Sequence, residues 1–160
     1  MNKIFYFLLM VFPASVFAEG THNHNHHANH HESPAGKPGD INAIDKTIKV
    51  DLLDSMQFKF ENEPNIKMGE TVHFVVRNLG KIPHEFSIGT ENEHKQHRKK
   101  MRKHPDMKHV DGNTITVLPG ETKTLTWVFG KLDTVMAACN IPGHFEAGMN
   151  HVFKMSDRNL

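Results

Sequence analysis

The chain has very little cysteine and no long apolar run beyond its first eighteen residues. Cys139 is the single cysteine among 160 residues, which excludes a disulfide within the chain, an iron-sulfur cluster and a zinc site built from several thiolates. No segment after residue 18 is long and apolar enough to predict a membrane-spanning helix. Charge is nearly balanced, with 19 Lys and Arg against 18 Asp and Glu, so net charge favours no class of partner.

Residues 1–18 match the pattern of a secretory signal peptide. Lys3 gives a positive start, Ile4 to Phe12 form a short apolar run, and Val16-Phe17-Ala18 suits cleavage. We therefore expect export to the periplasm and a mature protein that begins at Glu19.

A polar stretch rich in histidine follows the signal peptide. Residues 19–40 contain "THNHNHHANHH" and "ESPAGKPGD", which offer nothing to build a core, and we expect a flexible tail there. Clustered imidazoles bind Cu(II), Ni(II) and Zn(II) with little discrimination. The candidate metal-binding residues of the tail are His22, His24, His26, His27, His30 and His31.

Residues 41–160 have the sequence pattern of an all-β domain. Short runs that alternate apolar and polar residues are separated by turn residues, and no long apolar helical stripe is present. The pattern predicts a Greek-key β-sandwich. The eight runs are "KTIKVDLLD", "MQFKFE", "ETVHFVVRN", "HEFSIG", "NTITVL", "TKTLTWVF", "TVMAACN" and "NHVFKM".

One segment, at about 91–112, interrupts this alternating pattern and predicts an inserted helix and loop. Three of its histidines and its first methionine fall on one face of a helix that ends before Pro105. These residues are His94, His97, Met101 and His104. Seven Lys or Arg lie between residues 95 and 108. Such a stretch is typical of a solvated basic face, and the positive charge opposes binding of a further cation.

The segment "ACNIPGHFEAGM" surrounds the lone cysteine. For Cys139 alone, four interpretations are open: a small buried apolar residue, an intermolecular disulfide, a catalytic nucleophile or a metal thiolate. His144 and Met149 follow at two equal spacings, so that one loop can turn a thiolate, an imidazole and a thioether inward. This is a set of soft to intermediate ligands of the kind that copper prefers.

A further imidazole is expected from a strand, because one loop cannot hold a metal in a fixed geometry. His84 is the best candidate, since it opens the run "HEFSIG" in a sequence that otherwise predicts core. Taken alone, a histidine such as His84 is more often structural than a metal ligand.

These segments resemble the cupredoxins, the family of plastocyanin and azurin. "CNIPGHFEAGM" is similar to their copper-binding loop, and "NLGKIPHEFSIG" is similar to the strand that supplies their first histidine. The resemblance spans about residues 44–155. It implies a type 1 copper with three strong ligands, His84, Cys139 and His144, the weak axial ligand Met149, and electron entry at His144. Glu85 replaces an Asn that is frequent in the family.

The histidines and methionines of the insertion resemble those of periplasmic cupredoxins associated with copper tolerance, the copper-induced cupredoxins. The resemblance implies an accessory copper site from "HRKKM" and "MKH". Its residues would be His97, Met101, Met107 and His109.

We expect a non-enzymatic periplasmic protein that handles copper, confers copper tolerance and cycles between Cu(I) and Cu(II). The alternatives are an electron shuttle between respiratory proteins, with the basic segment docking an acidic redox partner, and a chaperone that passes copper to an exporter or oxidase. A cysteine nucleophile would leave Met149 without a role. No nucleic-acid partner is expected, because the basic stretch lacks interleaved aromatic residues.

Overall fold

The computed structural model describes residues 33–157, with the backbone alone at 110–111. This part of the chain contains ten strands, one α-helix and a short 3-10 turn at Ile41–Ala43. The helix α1 spans Glu91–Lys103. The strands are β1 Gly36–Pro38, β2 Lys46–Leu53, β3 Gln57–Phe60, β4 Thr71–Asn78, β5 His84–Gly89, β6 Val110–Asp111, β7 Thr114–Val117, β8 Thr122–Phe129, β9 Thr134–Ala138 and β10 Asn150–Lys154.

The strands form two five-stranded sheets, which confirms the predicted β-sandwich. One sheet has the order β1-β8-β4-β2-β3 and the other β10-β9-β5-β7-β6. Strands β2 and β4 are parallel, and every other pair is antiparallel. Each of the eight runs predicted from alternation contains one of these strands.

Phenylalanines fill the space between the sheets. Phe74, Phe86, Phe129 and Phe153 are buried, and their rings contact one another with centroids 5.1 to 6.2 Å apart. The inward positions of β2 and β8 alternate with exposed or half-buried ones, as expected for sheets with one face on the core. Burial of each aromatic ring contributes on the order of 1.5–3 kcal/mol, so this cluster is a main source of stability.

The predicted tail, residues 19–40, includes residues at its C-terminal end that are part of the β-sandwich. Residues Gly36–Pro38 pair with Trp127–Phe129 as an edge strand, and the carbonyl of Ala35 accepts a hydrogen bond of 3.1 Å from Nε1 of Trp127. Gly36 has a φ of 133°, and a Cβ there would overlap the carbonyl oxygen of Val128. The domain therefore includes the described residues from 33 onward, which the lack of apolar alternation in "SPAGKPG" had hidden.

The helix α1 covers the outer face of β5. All six residues of β5 are buried, because Phe86 and Ile88 face the core while Glu85 and Ser87 lie under the insertion on the opposite face. Thr90 caps the helix, and Glu93 completes a capping box with it. No helix in the described part of the chain has the length and apolar character needed to cross a membrane.

Candidate metal centre

Three predicted ligands meet at one end of the sandwich. His84 begins β5, Cys139 directly follows β9, and His144 lies in the loop between β9 and β10. Nδ1 of His144 lies 3.3 Å from Nδ1 of His84 and 3.3 Å from Sγ of Cys139. One donor atom from each residue lies within 4.8 Å of the other two. The structure thus brings together two imidazoles and a thiol from distant parts of the chain.

Asp54 orients the His84 ring. Its Oδ1 lies 3.0 Å from Nε2 of His84, which places the ring proton on Nε2 and leaves the Nδ1 lone pair toward Cys139 and His144. The backbone N–H of Lys81 and the His84 ring lower the pKa of the Asp54 carboxyl. Sequence reasoning missed Asp54, because an aspartate in the turn after β2 resembles any turn residue.

A tight loop holds Asp54 against His84. The Asn78 side chain donates hydrogen bonds to the carbonyls of Ile82 and Val117 and accepts one from the N–H of Gly80. Oδ2 of Asp54 accepts the N–H of Lys81 at 2.7 Å. A Cβ at position 80 would overlap Oδ1 of Asp54, so a larger residue there would displace the carboxylate from this position.

Cys139 is fully buried, and Sγ accepts a hydrogen bond of 3.2 Å from the backbone N–H of Glu85. The replacement of the family's usual Asn by Glu85 therefore leaves this backbone contact to sulfur in place. Burial raises the pKa of the Cys139 thiol to about 12. Reactive cysteines have a lowered pKa, so this environment does not suit a free nucleophile, whereas a bound cation would stabilise the thiolate.

Met149, the predicted axial ligand, is fully buried, and its backbone contacts two of the other predicted ligands. Its carbonyl accepts the N–H of Cys139 at 3.0 Å, and its own N–H donates to the carbonyl of His144 at 3.0 Å. Gly143 allows the turn with a φ of 88°. The loop thus closes on itself and fixes the backbone of all three of its predicted ligands.

The donor set fits a copper ion. Two nitrogens bound to one metal at about 2.0 Å are separated by about 3.1–3.5 Å, and the two Nδ1 atoms are 3.3 Å apart. Two imidazoles and one thiolate with a weak thioether constitute the ligand type of blue-copper sites. Burial lowers the pKa of His144, as does nearby His84, which favours the neutral imidazole that binds metals.

The surface around the site is apolar on one side and basic on the other. Leu79 and Ile82, in the loop before His84, have exposed fractions of 52% and 38%. On the other side, the guanidinium of Arg98 lies 3.6 Å from the ring centre of Phe145, and Arg102 lies 3.8 Å from Glu146. The half-buried His144 is therefore followed in sequence by residues that contact the basic helix α1, and its neighbour His84 is preceded by a loop with exposed apolar side chains.

The structure brings together two residues of the predicted accessory set. His97 and His109 are near each other and share Glu85 as a neighbour. Met101 is fully buried and Met107 half-buried, and their role as ligands stays a prediction. The six tail histidines lie outside the described residues.

Other structures share this fold. Reduced auracyanin from Roseiflexus castenholzii has a TM-score of 0.57 at 18% identity and covers 71% of this chain and 98% of its own. Auracyanin B has a TM-score of 0.60 at 15% identity, with coverage of 76% and 99%. At such identities the likeness shows the fold alone. No family model matches the sequence.

The β-sandwich and the His-Cys-His group at its end define the chain as a cupredoxin, as the resemblance predicted. The copper-resistant cuproprotein CopI of Rubrivivax gelatinosus is 38% identical over 147 residues, 87% of each chain. CopI of Vibrio cholerae serotype O1 is 45% identical over 117 residues, 73% of this chain and 69% of its own. This chain therefore belongs to the family of copper-resistant cuproproteins CopI.

Proposed function

We propose that this chain is a periplasmic type 1 copper protein that contributes to copper tolerance and cycles between Cu(I) and Cu(II). Family membership supports copper handling. The observation that carries the proposed site is the convergence of His84, Cys139 and His144, with one donor atom from each within 4.8 Å of the others. Residues 1–18 support export through their signal-peptide pattern.

Each ligand has a role that follows from its position. His84 is held by its strand and by Asp54, Cys139 is fixed by the N–H of Glu85, and Met149, in the same closed loop as Cys139, would supply the weak fourth ligand. Copper in such a site supplies reversible exchange of one electron. Because these side chains are restrained before the metal arrives, little rearrangement is expected between the two oxidation states.

The half-buried ring of His144 is the expected path for the electron. It is the one ligand of the four that is not fully buried. The exposed side chains of Leu79 and Ile82 lie on the loop that leads to His84, and His84 contacts the His144 ring. A redox partner that covers this apolar surface would approach the metal through His144.

A dedicated electron shuttle is the second candidate function. The observation in its favour is that the basic helix α1 contacts the ligand loop through Arg98 and Arg102. An acidic redox partner would be steered to this side of the site. Delivery of copper to an exporter or oxidase is the third candidate and would use the same surface.

The site is tested by titrating the full chain with Cu(II) and recording visible absorption and electron paramagnetic resonance. We expect an intense thiolate-to-copper band that saturates at one equivalent, and we expect Cys139→Ser to abolish it. Met149→Leu should keep copper while the spectrum and potential change. Tail histidines bind copper in all variants, so the band and not total copper is measured. A band that survives Cys139→Ser would refute the site.

Deletion of the gene separates the candidate functions. Loss of growth in excess copper with normal respiration supports copper tolerance, and restoration by the parent gene but not by the Cys139→Ser gene connects tolerance to the site. A respiratory defect at low copper supports the shuttle instead. Transfer of Cu(I) from the loaded protein to a metal-free oxidase would support the chaperone.

A further inference from the structure

Glu85, His97 and His109 form a second group of metal-ligand side chains, on the outer face of β5. They come from β5, from α1 and from the segment between α1 and β6. Oε2 of Glu85 lies 3.6 Å from Nε2 of His97, and Oε1 lies 3.7 Å from Nε2 of His109. One donor atom from each residue lies within 4.8 Å of the other two.

These separations suit a shared cation better than direct contacts. A charged hydrogen bond between imidazolium and carboxylate brings nitrogen and oxygen to about 2.7–2.9 Å, which is much shorter than the distances here. Two ligand atoms about 2.1 Å from a tetrahedral cation lie about 3.4 Å apart. The observed 3.6 and 3.7 Å are close to that value.

The burial of Glu85 is the second observation. Its side chain has no exposed surface, and neither carboxylate oxygen makes a hydrogen bond of normal geometry. Nε2 of His97 is also buried without a hydrogen bond. An ionised carboxylate buried in this state is unfavourable, and a cation between Glu85 and the two imidazoles would supply a compensating positive charge.

We propose that Glu85, His97 and His109 bind a divalent transition-metal cation at a site distinct from the one formed by His84, Cys139 and His144. Two imidazoles and a carboxylate are suitable ligands for Zn²⁺ and Cu²⁺. Among first-row divalent ions, such ligands bind Cu²⁺ most tightly. Compared with the predicted accessory site, this group of ligands has the Glu85 carboxylate of β5 in place of the thioethers of Met101 and Met107.

The basic residues of the insertion do not prevent this binding. Six of its seven cations, all except Arg98, are exposed, so water and salt screen their charge. The carboxylate of Glu85 lies directly at the site and offsets part of the repulsion. Burial and the neighbouring His109 lower the pKa of His97 to about 4, so its ring is neutral at pH 7 and able to bind a metal.

The proposal is tested with Zn²⁺ on the full chain whose six tail histidines are replaced by serine. Copper is first loaded into the type 1 site, and Zn²⁺ bound per chain is then measured by calorimetry and metal analysis. We expect one equivalent for this parent and at least tenfold weaker binding for His97→Gln/His109→Gln. The matched control is His104→Gln, an exposed histidine of the same insertion, which should bind as the parent does.

Equal Zn²⁺ binding by the parent and the double variant, or no Zn²⁺ binding by the parent, overturns the site. The test does not depend on the proposed copper function. If the type 1 site fails to load, the metal-free parent should still bind one equivalent more than the double variant.

Glu85→Gln tests the carboxylate separately. Glutamine keeps the shape of the side chain but removes its charge, so the metal-free variant is expected to fold and to be at least as resistant to heat as the parent. With copper bound in the type 1 site of both proteins, Zn²⁺ should raise the melting temperature of the parent and not that of Glu85→Gln. Equal stabilisation of both by Zn²⁺ would refute the assignment of Glu85 as a ligand.

Discussion

Asp54 allows a direct test of how His84, a proposed copper ligand, is held. Asp54→Ala removes the carboxylate that lies 3.0 Å from Nε2 of His84, so the ring loses the partner that fixes its proton and its tilt. Loss of such a partner typically lowers metal affinity by about 10–100-fold, and we expect a fall of that size. Asp54 uses one oxygen for His84 and the other for the N–H of Lys81, and Asp54→Asn, with a single acceptor oxygen, should give an intermediate loss.

Affinity is measured by competition with a copper chelator, followed through the thiolate-to-copper band, to which the tail histidines do not contribute. The matched control is Asp51→Ala on β2, the strand that precedes the Asp54 turn; it removes a surface ion pair with Arg77 and should leave affinity unchanged. An Asp54→Ala affinity within twofold of the parent would refute the reasoning. An equal fall in Asp51→Ala would refute it as well.

Three further substitutions test how the loop, the edge strand and the helix are held. Gly80→Ala places a Cβ against the Asp54 carboxylate, so we expect the same 10–100-fold loss of copper affinity and no further loss when it is combined with Asp54→Ala; additive losses would contradict this. Trp127→Phe removes the hydrogen bond to Ala35 and some packing, and should lower the free energy of unfolding in urea by about 1–3 kcal/mol with an unchanged copper band. Thr90→Ala removes the N-cap of α1 and should cost about 1 kcal/mol in the same assay; no measurable cost would count against the capping box.

The sequence predicts the eight longer strands because each alternates apolar and polar residues along a sheet with one face on the core. The two strands that it misses have no such pattern. Strand β1 contains Gly36 and Pro38 and depends on pairing with Trp127–Phe129, and β6 is two residues long. Strand β1 therefore forms through a contact with a distant strand, which local sequence does not encode, whereas β6 pairs with the adjacent β7 and is too short to show alternation.

The residues of the metal centre are likewise predictable from the sequence only in part. Cys139, His144 and Met149 share one loop, so their spacing alone suggests a ligand set. The position of His84 at the start of a predicted core strand makes it the candidate for the further imidazole, and the resemblance implies the same residue. Asp54 lies 30 residues before its partner His84, and only the folded chain brings the two together. The alternation of β5 places Glu85 on the face opposite His84, yet nothing in the sequence shows that α1 covers that face and sets His97 there.

The antiparallel pairing of β5 with β7 matches Ser87 to Thr114, so the residues between them occupy the place of a hairpin connection. Helix α1, β6 and two of the three outer cation ligands all belong to this one connection. The group formed by Glu85, His97 and His109 therefore requires only two features: a glutamate at one position of β5 and an enlarged loop between β5 and β7. Residues 90–113 and that glutamate could therefore be transplanted into a cupredoxin that has a short turn at this place. The copper-site histidine of the host strand lies on the opposite face and would stay unchanged.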